Sequence, residues 1–504
     1  MKLATFLTHH AAVRGAALAV RAGARSLTFA ELDDTSTRIV GALRARGVGV
    51  GDRVALLVPN GVEFVQAFTG IVKAGAVAVP VNLRLSADEV RFVLADSAPA
   101  AAFVDGRFRA DLDFSTVRHV VETQPNATGP DTLAGLIADG SGTPPDLSID
   151  CDDCVISYTS GTTGRPKGAV LTQANYVVLN GFLNREMWGI GPADLQLVTT
   201  PLAQRTGLAR VINMLCLGCG LVIPPRFDAA TAAALIEAEG VTFMATVPTV
   251  ARMLLPRMRA EPGRFASLRT LVATGEAFPL ALKQQLHDAL PGLAIHSFYA
   301  LTEVGLVASM GPDEQFTHPS SVGRIQPGVE ALLRDEHLTE VLPGDVGELW
   351  VRTGEPGRFL SMSRYHDRPD ATAETIRDGW VATGDLGRID DEGYLHIVDR
   401  RKDMIVSGGF NIYSKEVEQA IAELPGVSDV AVLGVPDDLY GEAVVAYVEV
   451  HPGAVLEAET VIAHCRARIA SYKKPRDVHF VTELPRNSTG KVLKRLLQPA
   501  VAVQ

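Results

Sequence analysis

The run Tyr158-Thr159-Ser160-Gly161-Thr162-Thr163-Gly164-Arg165-Pro166-Lys167-Gly168 carries the densest chemistry in the chain. Hydroxyls at Thr159, Ser160, Thr162 and Thr163 can donate to phosphate oxygens, and Arg165 and Lys167 can offset their charge. Glycines at 161, 164 and 168 let the backbone turn its N–H groups onto an anion. This is not a Walker A loop, because no Gly-Lys-Ser/Thr closes it and Pro166 precedes the lysine. A polar surface loop has a similar composition. The apolar run at 154–158, however, reads as a buried strand, which sets the loop at a strand end, where open α/β sheets bind ligands.

Other clusters follow. Tyr299-Ala300-Leu301-Thr302-Glu303 groups a ring that can stack on a purine, a hydroxyl for a phosphate and a carboxylate for Mg²⁺. Thr383-Gly384-Asp385 sets a carboxylate on a glycine turn, where it can accept from both ribose hydroxyls. Ser407-Gly408-Gly409 is a backbone-exposing turn, and the loop 485–491 ends in Lys491. Taken singly, each of these reads as structural sooner than functional. The two C-x-x-C pairs, Cys151/Cys154 and Cys216/Cys219, lie too far apart for a zinc ribbon and in apolar surroundings, so they read as small buried side chains.

These groups need a scaffold. At 504 residues the chain exceeds one core, so two or more domains are expected. Strand–helix–strand units recur at 54–58, 61–73 and 76–79, at 221–223, 228–239 and 243–247, and at 271–273, 279–290 and 294–298. That alternation predicts layered α/β structure with mostly parallel sheets. From about residue 320 the texture turns to Gly-punctuated short strands, such as 347–351 and 393–398, a small β-rich subdomain. A charged stretch at 399–403 precedes a compact α+β module, with helices at 415–424 and 456–470 and strands at 428–435 and 444–450. The net charge of −11 argues against nucleic acid or an anionic membrane as main partner, though not against a nucleotide, whose phosphates feel the local loop. No apolar run approaches the roughly 18 residues of a membrane span, and residues 1–28 lack a signal-peptide core. A cytoplasmic location is the default expectation, with the oligomeric state left open between monomer and homodimer.

Together and in this order, the clusters resemble the adenylate-forming superfamily: AMP-dependent acyl-CoA synthetases, firefly luciferase and the adenylation domains of peptide synthetases. The resemblance runs from about residue 26 to the C-terminus and also takes in Thr246-Val247-Pro248-Thr249 and Asp399-Arg400. It implies an adenylation domain over 1–398, a hinge at 399–402 and a mobile domain over 403–504. It further implies ATP, Mg²⁺ and coenzyme A. A carboxylate attacks the α-phosphate of ATP, pyrophosphate leaves, and a thiol then takes the acyl group and releases AMP. By the same resemblance, the loop 159–168 holds the β- and γ-phosphates, Thr302 touches the α-phosphate and Glu303 the metal. Tyr299 stacks on adenine beside Gly275, Glu276 and Ala277, Asp385 and Arg400 grip the ribose, and Lys491 bridges the incoming carboxylate and the α-phosphate. Lys402 takes the hinge position, and Gly408 and Gly409 face the thiol channel.

One segment departs from the family. Where many acyl-CoA synthetases carry Pro-Leu-Phe-His-x-x-Gly, this chain has Pro201-Leu202-Ala203-Gln204-Arg205-Thr206-Gly207. Ala203 leaves room for a ring or a bulky acyl group, so an aromatic or medium-chain acid is expected rather than acetate. Arg205 suits pairing with a second carboxylate or a phenolate of the substrate, and equally reads as an exposed loop arginine. Gln204 at the thiol gate keeps a second acceptor open: a carrier-protein phosphopantetheine, an amine, or an inorganic nucleophile such as nitrite.

Overall fold

A computed structural model describes residues 2–108, 112–147, 151–159, 166–224, 226–276, 278–355, 358–486 and 492–497. Ser160, Gly161, Thr162, Thr163, Gly164, Ala277 and Lys491 lie outside these residues. The chain forms two compact units, 1–331 with 351–381, and 332–350 with 382–504.

In the first unit, one sheet has seven strands among the described residues. Their order is Arg364–Tyr365, Lys167–Thr172, Asp153–Thr159, Val77–Pro80, Arg53–Leu57, Ala101–Val104, His119–Glu122. From Asp153–Thr159 onward the pairing is parallel, as continuous Val/Ala/Leu runs buried on both faces demand. A second sheet runs Gly305–Met310, Ala294–Leu301, Thr270–Ala273, Phe243–Thr246, Leu195–Val198, Gly220–Ile223, Leu18–Ala22. Between the sheets lie the helices Phe29–Ala45, Val62–Ala74 and Arg205–Leu217. Phe29, Ile39, Phe64, Phe68, Ile71, Val211 and Ile212 join strand residues of both sheets in one core. Phe29–Ala45 and Ala87–Ser97 each start at a capping box, Thr28 with Glu31 and Ser86 with Glu89, which satisfies otherwise orphaned N–H groups.

The expected units at 54–79, 221–247 and 271–298 are present, with no end shifted by more than three residues. The N-terminus holds more than the sequence indicated. Helix Leu3–Arg14 buries Leu3 and Leu7, and Leu18–Ala22 pairs parallel with Gly220–Ile223, so the large unit begins well before residue 26. Cys154, Cys216, Cys219 and Cys465 are buried and Cys151 is half-buried.

In the second unit, Trp380–Ile389 pairs antiparallel with Tyr394–Arg400. The C-terminal sheet runs Phe410–Ile412, Ile405–Ser407, Gly441–Val450, Val427–Asp437, with Asp477–Val481 added parallel to Gly441–Val450. Helices Ser414–Ala422 and Ala458–Arg468 cover it through Val417, Ile421, Val461 and Cys465. The charged stretch at 399–402 sits inside this unit. Asp399 accepts from the Ser414 hydroxyl at 3.2 Å, and Arg401 reaches Glu348 at 2.9 Å.

Candidate active site

The strand Asp153–Thr159 delivers Thr159 to the start of the glycine-rich loop, and Lys167–Thr172 returns antiparallel beside it. Tyr158 anchors this hairpin: its hydroxyl donates to Asp96 at 2.7 Å, and Arg368 holds the other Asp96 oxygen at 2.6 Å. Burial and the adjacent carboxylate push the Tyr158 phenol well above its usual range, so it stays a donor. A side chain at Gly168 would come within 2.6 Å of Ile156, so the close packing of the hairpin requires glycine there. The Lys167 ammonium lies 5.3 Å from the centre of the Tyr365 ring.

Tyr365 leads to the next group. Its hydroxyl donates to Glu303 Oε1 at 3.0 Å, and burial followed by the Glu303 charge pushes that phenol up. Lys167, Tyr365 and Glu303 therefore form one chain of contacts. Thr302 and Glu303 sit on the turn after the strand Ala294–Leu301, which carries Tyr299 opposite Ala308. The turn is fastened through its main chain. The Glu303 carbonyl accepts from Met362 N at 2.6 Å, the Val304 carbonyl from Asn175 Nδ2 at 3.3 Å, and the Thr302 carbonyl from Arg205 Nη1. Glu276 follows Gly275, whose φ is +88°, and accepts from the Thr249 hydroxyl at 2.8 Å, which ties it to the segment 246–249.

The segment 201–207 is locked locally. Asn60 grips its start, donating to the Thr200 carbonyl at 3.0 Å and accepting from Leu202 N at 2.8 Å. Gln204 stands at the N-cap position of the helix Arg205–Leu217, and a Cβ at Gly207 would lie 2.1 Å from the Pro201 carbonyl, so only glycine closes this turn. Ala203 packs half-buried against the core. Arg205 is no exposed loop residue: it is half-buried, opens the helix and points its guanidinium at the Thr302 turn.

In the second unit, Asp385 is 2% exposed and pairs with Arg400 Nε at 2.5 Å across the Trp380–Ile389/Tyr394–Arg400 register. Thr383 supports the turn, donating to the Leu349 carbonyl at 2.7 Å and accepting from Asp385 N at 3.1 Å, while Gly384 takes φ +71°. Lys402 is half-exposed, 4.0 Å from Asp403. Gly408 and Gly409 have φ +57° and +82°, and Gly408 N donates to the Tyr440 carbonyl at 2.8 Å.

The sequence did not single out Asn60, Asn175, Tyr365 or Asp96 with Arg368, because no local motif marks them. Each acts across 62 or more residues of chain, and only the fold brings them to the loops they hold.

Residues 7–359 match the family model described as AMP-binding enzyme, and residues 416–491 the one described as AMP-binding enzyme C-terminal domain. The chain is 36% identical over 491 residues to a feruloyl-CoA synthase from an Amycolatopsis species, covering 95% of this chain and 94% of that one. It is also 36% identical over 493 residues to the long-chain-fatty-acid–CoA ligase FadD13 of Mycobacterium tuberculosis, covering 94% and 92%. Among solved structures, ATP-bound MatB from Rhodopseudomonas palustris superposes with a TM-score of 0.89 at 31% identity, covering 99% of this chain and 98% of the other.

Proposed function

The chain belongs to the AMP-binding enzymes, and from that membership we propose that it joins an aromatic or medium-chain carboxylic acid to coenzyme A through an acyl-adenylate. It is an ATP-dependent, AMP-forming acid–thiol ligase that uses ATP, Mg²⁺ and coenzyme A. The observation that carries the reading is the Glu303 carboxylate, fixed by Tyr365 on a turn with its main chain tied down and linked through that ring to Lys167 of the glycine-rich hairpin.

The residues fit Mg²⁺ in one particular way. Glu303 offers a single anchored carboxylate, and among the described residues no cluster of three or more His, Cys, Asp or Glu could cage a metal. A lone carboxylate suits Mg²⁺, which keeps waters and takes its other ligands from substrate phosphates. When bound there, the ion would neutralise charge on the departing pyrophosphate.

In this reading the side chains act as fixed donors and charges. Thr159 and Lys167, with the residues between them, hold the β- and γ-phosphates, and the Thr302 hydroxyl donates to the α-phosphate. Tyr299 stacks on adenine, and Gly275 and Glu276 border the base and the acyl pocket. Asp385 accepts from the ribose hydroxyls while its other oxygen keeps Arg400 in place. An oxygen of the acid attacks the α-phosphorus and the α–β bond breaks, with Lys491 balancing the charge on both partners. Lys402 is the hinge about which the C-terminal domain turns. The coenzyme A thiolate then attacks the acyl carbonyl past Gly408 and Gly409, and AMP leaves. Ala203 in the acyl-pocket wall, together with a feruloyl-CoA synthase and a fatty-acid ligase as relatives, supports the aromatic or medium-chain assignment.

The test is to incubate the enzyme with ATP, Mg²⁺ and coenzyme A across cinnamate-like, benzoate-like and C6–C12 acids, with acetate for comparison. Mass spectrometry should find thioesters of a ring-bearing or medium-chain acid and little acetyl-CoA. AMP release without any thioester would replace coenzyme A by another acceptor.

A further inference from the structure

We propose that Arg205 is the positioning residue of the Thr302–Glu303 turn, holding it in the geometry that receives Mg²⁺. The proposal rests on Glu303 being the metal ligand. Arg205 Nη1 donates to the Thr302 carbonyl, and Nη2 reaches Asn175 Oδ1 at 2.6 Å and Asn180 Oδ1 at 3.4 Å. Asn175 in turn donates to the Val304 carbonyl at 3.3 Å and to the Leu360 carbonyl. One guanidinium therefore braces the residues on both sides of Glu303, directly on one side and through an amide on the other.

The surroundings support a dedicated brace. The guanidinium lies 5.4 Å from the centre of the buried Tyr176 ring, and among the described residues no carboxylate pairs with it. Burial works against its charge, while the fields of Tyr176 and then Glu303 favour it. A half-buried cation without an ion pair is costly unless its donors and charge are used. Here the donors are spent on main chain and amides. Gly305 makes room: it sits at φ +105°, and a Cβ there would come within 3.0 Å of Arg205 Nη2. Asn175 stands where a short helix passes into the π-helix Tyr176–Phe182, a rare turn that is often found at functional sites. Arg205 is also the residue after Gln204, so the expected acyl-pocket wall and the metal turn share a single strut.

The measurement is calorimetric binding of α,β-methylene-ATP, which cannot be cleaved at the α–β bond, with excess Mg²⁺ or with EDTA. Wild type should gain affinity from Mg²⁺. Arg205→Met, checked for fold by circular dichroism, should lose about tenfold of the Mg²⁺-supported affinity, as removal of a ligand-orienting partner does, while EDTA affinity stays within about twofold. A purely structural defect would weaken both. Arg205→Lys, which keeps the charge but only one prong, should fall between them, and it decides the matter if the Met variant does not fold. A gain lost in Glu303→Gln but intact in Arg205→Met or Arg205→Lys would overturn this proposal alone. A wild type without any Mg²⁺ gain would overturn the Glu303 assignment and the proposal with it.

Discussion

At the residue scale, the tyrosine–carboxylate contact decides how well one acidic side chain can serve a metal. The Tyr365 hydroxyl lies 3.0 Å from Glu303 Oε1. Tyr365→Phe removes that donor and leaves the ring beneath Lys167 in place. Pyrophosphate exchange at limiting Mg²⁺ should fall by about tenfold, with much of the loss recovered at high Mg²⁺. Equal loss at all Mg²⁺ concentrations would separate the tyrosine from the metal. A second residue governs acid stability. Burial, followed by the charge of Arg269, pushes His296 down to about 4 from its usual 6.5. The unfolded chain then binds a proton between pH 6.5 and 4 that the folded protein refuses, so stability falls as pH drops through that window. His296→Gln should flatten this part of a melting-temperature-versus-pH curve, and an unchanged slope would show the imidazole to be uninvolved.

At the scale of elements, close packing sets the limits. The helices Phe29–Ala45 and Val62–Ala74 meet where Gly70 faces Ile39: a Cβ on Gly70 would sit 2.5 Å from Ile39 Cγ2. Gly70→Ala should therefore destabilise by about 1–3 kcal/mol through overpacking, although alanine is the better helix former. Urea midpoints at an unchanged m-value would record it. The same physics explains what could be read in advance. Runs such as Val54-Ala55-Leu56-Leu57 read as buried parallel strands because nothing polar interrupts them. Helix Leu3–Arg14 escaped notice because His9, His10 and Arg14 blur its apolar face. The residues bracing the Glu303 turn were invisible for another reason. Asn175, Arg205 and Met362 bind main-chain carbonyls, which any sequence supplies, so only the fold reveals the contacts. Arg205 is the sharpest case: two readings were open from its chemistry, and its hydrogen bonds turn inward to the turn.

At the scale of the whole molecule, the groups proposed for one reaction are divided between two compact units, with Lys167, Thr302 and Glu303 in the first and Asp385, Arg400 and Lys402 in the second. If Lys402 is the hinge, its φ and ψ must change between half-reactions, and proline would fix φ near −65°. Lys402→Pro should slow thioester formation at least tenfold more than pyrophosphate exchange, as measured by supplying acyl-adenylate and coenzyme A directly. Parallel loss of both steps would remove the hinge from position 402. No helix among the described residues is long and apolar enough to cross a membrane. The central claim is that this chain joins an organic acid to AMP, and its most direct test is acid-dependent exchange of labelled pyrophosphate into ATP. The account predicts exchange that requires both Mg²⁺ and a ring-bearing or medium-chain acid, and that drops about a hundredfold in Lys491→Ala. Exchange at background across the whole acid panel, or full exchange in the lysine variant, would contradict it.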